Sequence, residues 1–202
     1  MSTSFSGGNN VKKRLNQIAK SLAAGKKLKV GFLAGAKYPD GTPVPLVAAT
    51  HEFGGKIKID ERTQDLYFQE KNGMVGNRFV KKGRSNFAQT VTIPAHVVLI
   101  PPRPFFRRMI AVNSGKWPSE IAAVLKSENY DTQRALNIMG ERIKSQLQTS
   151  IRELTDPPLA ASTIKKKSGG KNEEGAGYGP EKPLIEKGHM LNSVDYEIVG
   201  GE

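Results

Sequence analysis

The sequence predicts a chain of the α+β class, with helices and antiparallel strands segregated along its length, and two observations predict it. Between Lys56 and Ile100 lie short β-prone runs, KIKI, DLYFQE, NRFVKK, FAQTVTI and HVVLI, separated by Asn-Gly, Gly-Asn and Lys-Gly-Arg turns. On either side, apolar residues recur at helical spacing instead, most clearly from Asp131 to Glu153. The expected organisation is one domain over 1–202. It has an N-terminal helix (1–25), a sheet core (27–110) carrying a β-hairpin excursion (56–100), a long helix (131–153), and a polar C-terminal arm with a closing strand (154–202).

Each element has its own warrant. In VKKRLNQIAKSLAA, Val11, Leu15, Ile18, Ala19 and Leu22 fall on one stripe, which predicts an amphipathic helix packed on a sheet and stopped by Gly25. KLKVGFLAG reads as a strand. YPDGTPV is turn chemistry, with Pro39-Asp40-Gly41 in a tight turn and Thr42-Pro43 as helix N-cap and first helical position. VPLVAATHEF follows as a short helix ended by Gly54-Gly55, with Phe53 expected to pack inward. NGMVGN and KKGRSN read as exposed loop tips, and His96 as a half-buried strand histidine. In IPPRPFFRRMI the prolines impose an extended lead-in. Pro104 then suits a first helical turn, with Phe105, Phe106, Met109 and Ile110 on a buried face and Arg103, Arg107 and Arg108 directed outward or sideways. WPSEIAAVLKS predicts another helix. Asp131 caps the longest one, where Leu136, Met139, Ile143, Leu147 and Ile151 recur every three or four residues. A Pro-Pro break and a capped turn from Ser162 follow, then the low-complexity run SGGKNEEGAGYGPEK. PLIEKGHMLNSVDYEIV closes the chain with a turn or short helix and a strand in which Val194, Tyr196 and Ile198 alternate.

Composition narrows the function. The net charge of +12 points to polyanions or to acidic protein surfaces. That charge is gathered at Lys12–Arg14, Lys26–Lys29, Lys81–Arg84, Arg103–Arg108 and Lys165–Lys171, short clusters that suit an assembly subunit with complementary seams as well as a nucleic-acid binder. There are no cysteines, which removes disulfides and thiolate metal sites and fits a reducing cytoplasm. MSTSFSGGNN has no signal-peptide pattern and no run approaches a membrane span, so a soluble, non-exported protein is expected.

Motifs for chemistry fail on inspection. His51-Glu52 resembles half of a zinc-protease motif, but position 55 is Gly55 rather than the second histidine, and His51, His96 and His189 have no ligand spacing. No nucleophile-elbow serine and no phosphate-binding loop is present. Glu52, Glu120, Asp131 and Glu141 have helix-surface or capping explanations. We therefore expect neither catalysis, metal nor cofactor. Nucleic-acid motifs are missing as well. Arg103, Arg107 and Arg108 share a segment with Phe105 and Phe106, the composition of a protein–protein hot spot. The candidate interface comprises those arginines with Lys81, Lys82, Arg84, Lys165, Lys166 and Lys167.

A set of motifs in fixed order carries a resemblance. ATHEFGG (His51, Glu52, Phe53, Gly54, Gly55) ends a short helix. A β region follows, then IPPRPFFR (Pro102, Pro104, Phe105, Phe106), a long helix, TDPPLAASTIKKK and KPLIEKGHMLNSV. Over roughly residues 44–198 this resembles the tail completion and tail terminator (neck) proteins of tailed bacteriophages, the phage virion morphogenesis family among them. Glu61–Phe87 is longer than in compact members, and Glu186-Lys187-Gly188 stands where a Thr-Gly is usual.

The resemblance implies a small, mostly antiparallel sheet flanked by helices, in subunits assembled as a homo-oligomeric ring, commonly a hexamer. Such a ring belongs to the virion, is assembled in the host cytoplasm, and joins the tail tube protein to head–tail connector proteins. DNA passes through it without sequence-specific binding, and its lysines are expected to face partner rings or the outer wall. The other reading the residues allow is a basic, non-enzymatic nucleic-acid-binding protein.

Overall fold

The computed structural model of the protein describes residues 8–23, 25–169 and 179–200. In chain order the elements are α1 (Gly8–Ala23), β1 (Lys27–Phe32), α2 (Val44–Phe53), β2 (Gly55–Ile59), β3 (Arg62–Phe68), β4 (Glu70–Lys71) and β5 (Met74–Val75). They continue with β6 (Phe87–Ile93), β7 (His96–Ile100), α3 (Phe105–Asn113), α4 (Trp117–Ser127), α5 (Thr132–Glu153), α6 (Ala161–Gly169), α7 (His189–Asn192) and β8 (Val194–Val199). The fold is α+β. The chain divides into two compact units: one takes the described residues up to Gly54 and from Pro101 onward, the other is Gly55–Ile100. The second unit begins one residue before the excursion of 56–100. Among the described residues, no helix is long and apolar enough to cross a membrane.

The first unit is organised on α5. Asp131 adopts an extended backbone and its carboxylate accepts a hydrogen bond from the Arg134 amide at 3.1 Å, satisfying one of the orphan donors of the first turn. Met139, Leu147 and Ile151 are buried along one stripe, and α3, α4, β1 and β8 pack against the helix. The core joins that stripe to Val44 of α2, Phe105 and Met109 of α3, Leu184 and Ile185, and Val194 of β8. β1 and β8 pair antiparallel, from Lys27 opposite Val199 to Phe32 opposite Val194. α5 comes so close to this ribbon that a Cβ at Gly140 would fall within the Tyr196 ring.

The second unit is one long β-hairpin. β2 pairs with β7 and β3 with β6, both antiparallel. Ile59 stands opposite His96 and Arg62 opposite Ile93, so the register passes unchanged through the interruption at Asp60-Glu61 and Pro94-Ala95. Pro94 has no amide to give to a ladder, which accounts for the break. Beyond Phe68 a small inner ribbon, β4–β5, turns at Asn72 and Gly73, both at positive φ (53° and 76°), the geometry of a tight hairpin turn. Its base is held by side chains: the Asn86 amide donates to the Glu70 carbonyl while its oxygen accepts from the Glu70 amide (2.8 and 2.7 Å). No residue from 55 to 100 is buried.

The antiparallel β structure takes the form of two-stranded ribbons. Several other expectations need correction. NRFVKK is irregular chain, although the Phe79 ring sits 5.2 Å from that of Phe68. His96 is exposed, its ring held beside the Pro94 carbonyl. Thr42 does not cap α2: Pro43 is the N-cap residue and Thr42 instead donates its amide to Asp40 Oδ1 at 2.9 Å. In α1 the stripe Val11, Leu15 and Leu22 is exposed rather than packed on a sheet. That helix is tied through polar contacts to the α4–α5 junction, with Arg14 donating to the Asn129 carbonyl and Ser21 bonded to Thr132. On α3, Phe105 and Met109 are buried, Phe106 is half-buried and Ile110 is exposed. Ala24 and residues 170–178 of the low-complexity run lie outside the described residues.

Two substitutions test this packing. Phe105→Ala should lower the unfolding free energy by about 3–5 kcal/mol, the cost of a large aromatic lost from a core. Gly140→Ala should cost about 1–3 kcal/mol through overpacking against Tyr196. Urea titration measures both, and a neutral Gly140→Ala would contradict the close α5–β8 approach.

Candidate protein-interaction site

Val44, Ala48 and Glu52 follow one another at four-residue spacing, so α2 turns all three to the same side, and all three are buried. Phe53, one residue on, is rotated by about 100° and is 68% exposed. This corrects the expectation of an inward Phe53. Gly54 ends the helix at φ 75°, a conformation that favours glycine.

The buried carboxylate has a specific employment. α3 begins after Pro104 with no side-chain cap of its own. Glu52 supplies one from another helix: its Oε2 accepts from the Phe106 amide at 2.8 Å, and its Oε1 accepts from the Arg107 amide at 3.1 Å and from Arg107 Nε at 2.9 Å. Arg107 also donates to the Glu52 carbonyl at 2.8 Å. A buried charge is costly unless it is paired and fully hydrogen-bonded. Here it meets the positive end of a helix and a guanidinium together.

Arg103 is corrected too. It is buried, 6% exposed, rather than directed outward or sideways. In Pro101-Pro102-Arg103-Pro104 only Arg103 carries a backbone N–H, and that N–H donates to the His51 carbonyl at 2.6 Å. The residue is thereby drawn under the end of α2. Its Nε has no partner, and burial lowers the guanidinium pKa. His51 is half-buried with Nδ1 unpartnered. Burial first, then the charge of Arg103, pushes its pKa below the usual 6.5. A cavity of about 560 Å³ lies beside it, bounded by Tyr38, Asp40, Glu186 and His189 among others. Burial, then the charges of Asp40 and Glu186, raises the Tyr38 phenol pKa. Among the described residues no three His, Asp or Glu side chains gather as a metal-ligand set.

On the other side of α2 an apolar groove of about 240 Å³ runs between Phe32, Pro45, Ala48, Ala49, Phe53 and Phe106. Arg107 lies over the Phe53 ring, its Cζ 5.2 Å from the centroid. An exposed aromatic stacked with an arginine that is itself held in place is the composition of an interface hot spot.

The remaining candidates lie apart from this group. Arg108 is exposed on α3. Lys81, Lys82 and Arg84 are exposed around a 3-10 turn of the hairpin unit, with Lys82 Nζ 6.0 Å from the Tyr67 ring centroid. Lys165 and Lys166 are exposed on α6. Lys167 is not free: it donates to the carbonyls of Lys182 (2.7 Å) and Ile185 (2.6 Å), and burial lowers its pKa. The structure thus assembles Glu52, Phe53, Phe106 and Arg107 at α2–α3, with Phe105 and Arg103 beneath. Sequence reasoning allowed Glu52 a capping role but not on a second helix. The signal was its place in the Val44–Ala48–Glu52 stripe. No family model, curated protein or solved structure matches the chain.

Glu52→Ala should lower stability by roughly 1–2 kcal/mol, the value of a helix cap. Restoration by Glu52→Asp to near the parent would point away from the two-amide geometry, because the shorter side chain falls short. For His51 the folded pKa is depressed, so the unfolded chain binds the proton more readily. Its contribution is complete above the unfolded pKa of about 6.5 and is lost as pH falls from there toward the folded value. Unfolding free energy should decline over that window, and less steeply in His51→Gln. Parallel profiles for the two proteins would refute the assignment.

Proposed function

We propose that the chain is a structural subunit of a homo-oligomeric ring in the neck of a tailed phage, a tail terminator or completion protein whose work is binding, not catalysis. The observation that carries this reading is the hairpin unit. It contains no buried residue, yet Ile57, Met74, Val75, Phe79, Val97, Val98 and Leu99 each stand at least 41% exposed. Two-stranded ribbons are marginal on their own in water, and this much exposed apolar side chain suits contact with protein. The Phe53–Arg107 groove adds a second surface of interface composition. The ordered motifs His51–Gly55 and Ile100–Arg107 supply the resemblance to neck proteins, and they are the segments that build the Glu52 lock.

In such a ring the subunit would be placed in the virion, in contact with the tail tube protein on one face and a connector protein on the other. The exposed cluster Lys81, Lys82 and Arg84 beside Tyr67 favours the second reading, a basic protein that binds nucleic acid. One pair of measurements separates them. Sedimentation velocity and negative-stain microscopy of the purified protein should show a closed multimer. Duplex-DNA binding should be absent at about 0.15 M salt. A monomer whose DNA affinity falls steeply with salt would overturn the ring reading in favour of the other.

A further inference from the structure

We infer that the apolar groove at α2–α3 of one copy receives the hairpin tip, Met74 and Val75, of a second copy of this chain. The inference rests on the ring reading and names the contact that would build the ring.

Three observations select the occupant. First, the groove has room for a large side chain. Its volume is about 240 Å³, where an apolar cavity of about 150 Å³ already accepts a benzene ring. Second, the chain supplies an apolar knob without a socket. Met74 is 75% exposed, the most exposed of the large hydrophobic residues among those described, and Val75 beside it is 44% exposed. The turn at Asn72 and Gly73 holds both at the end of a ribbon, and methionine adapts to irregular apolar sites.

Third, charge permits self-contact here and opposes it elsewhere. Two copies of a chain of net charge +12 repel each other over most approaches. α2, VPLVAATHEF, carries no lysine or arginine, and the one cation lining the groove, Arg107, is paired with Glu52. The tip segment itself, Glu70 to Val75, contains one acid and one lysine and is neutral, while the neighbouring turn carries Lys81, Lys82 and Arg84. By contrast α1, whose apolar stripe is also exposed, carries Lys12, Lys13, Arg14 and Lys20 with no acid, so a second copy is a poor partner for it. A knob on one surface and a socket on another make a heterologous contact, which closes into a ring when the rotation allows.

The absence of cysteine makes the test clean. Ala49→Cys and Met74→Cys are prepared separately and mixed under mild oxidation. We expect a disulfide-linked dimer from the mixture, and a ladder of linked multimers from the double variant. We also expect Phe53→Ala to weaken self-association by about tenfold or more, with its unfolding transition unchanged. If the parent protein is multimeric by sedimentation but the mixture does not cross-link and Phe53→Ala associates normally, the contact assigned here is wrong and the ring reading survives. If the parent stays monomeric at high concentration, both fall. Cross-linking confined to single chains of the double variant likewise overturns the inference.

Discussion

The carboxylate of Glu52 is the constraint on which the arrangement of α2 and α3 depends. The two helices are separated in sequence by the whole hairpin unit, and closing so long an excursion carries an entropic cost that grows only slowly with its length. What is needed is a firm tie at the base. The structure provides two: the Arg103 amide on the His51 carbonyl, and the Glu52 carboxylate across the first amides of α3. Both ties fall just inside Gly54 and Pro101, where the first unit gives way to the second. With the base fixed, the residues between are free to serve contact rather than stability, which is consistent with a ribbon that buries nothing.

The lock also determines what is left outside. Once the four-residue stripe of α2 places Glu52 inward, Phe53 has no place in the core, and the guanidinium that completes the carboxylate's partners lies over its ring. The exposed aromatic, the oriented arginine and the groove between them follow from one buried charge. The floor of the groove, Ala48 and Phe105, belongs to the same core as Leu147, Ile151 and Val194, so the surface rests directly on the packing that maintains the fold.

Much of this was legible in the sequence. The length and cap of α5, the strands of the hairpin, the alternation of Val194, Tyr196 and Ile198, and the buried Phe105 all follow from periodicity and turn chemistry. The misread residues share a cause. Periodicity shows that a helix has two faces but not what covers each one. In α1, Val11, Leu15 and Leu22 found no cover among the described residues. At Phe53 a hydrophobic residue lost the interior position to a carboxylate, because the amides at the start of α3 had no other partner. Arg103 was drawn inward by the sole amide in a run of prolines, and Lys167 by two carbonyls from a distant segment. These choices depend on groups far apart in the chain, and no local pattern encodes them.

The cation clusters illustrate the same limit. Counted along the chain, they point to polyanions. In the fold, several cations are already engaged: Arg107 with Glu52, Lys144 with Asp195, Lys29 with Glu197, and Lys167 with backbone carbonyls. The pairs Lys144–Asp195 and Lys29–Glu197 are solvent-accessible, and such pairs add little stability. Their effect is to neutralise local fields beside β8. Among the described residues, the cations of α1, of the 3-10 turn and of α6 are among those that form no ion pair, while α2 carries no lysine or arginine at all. On the proposed ring reading, a protein that repels itself broadly and is neutral at one groove would favour a single mode of self-contact. In that reading the positive charge would set specificity by excluding other approaches, and the apolar groove would provide the affinity.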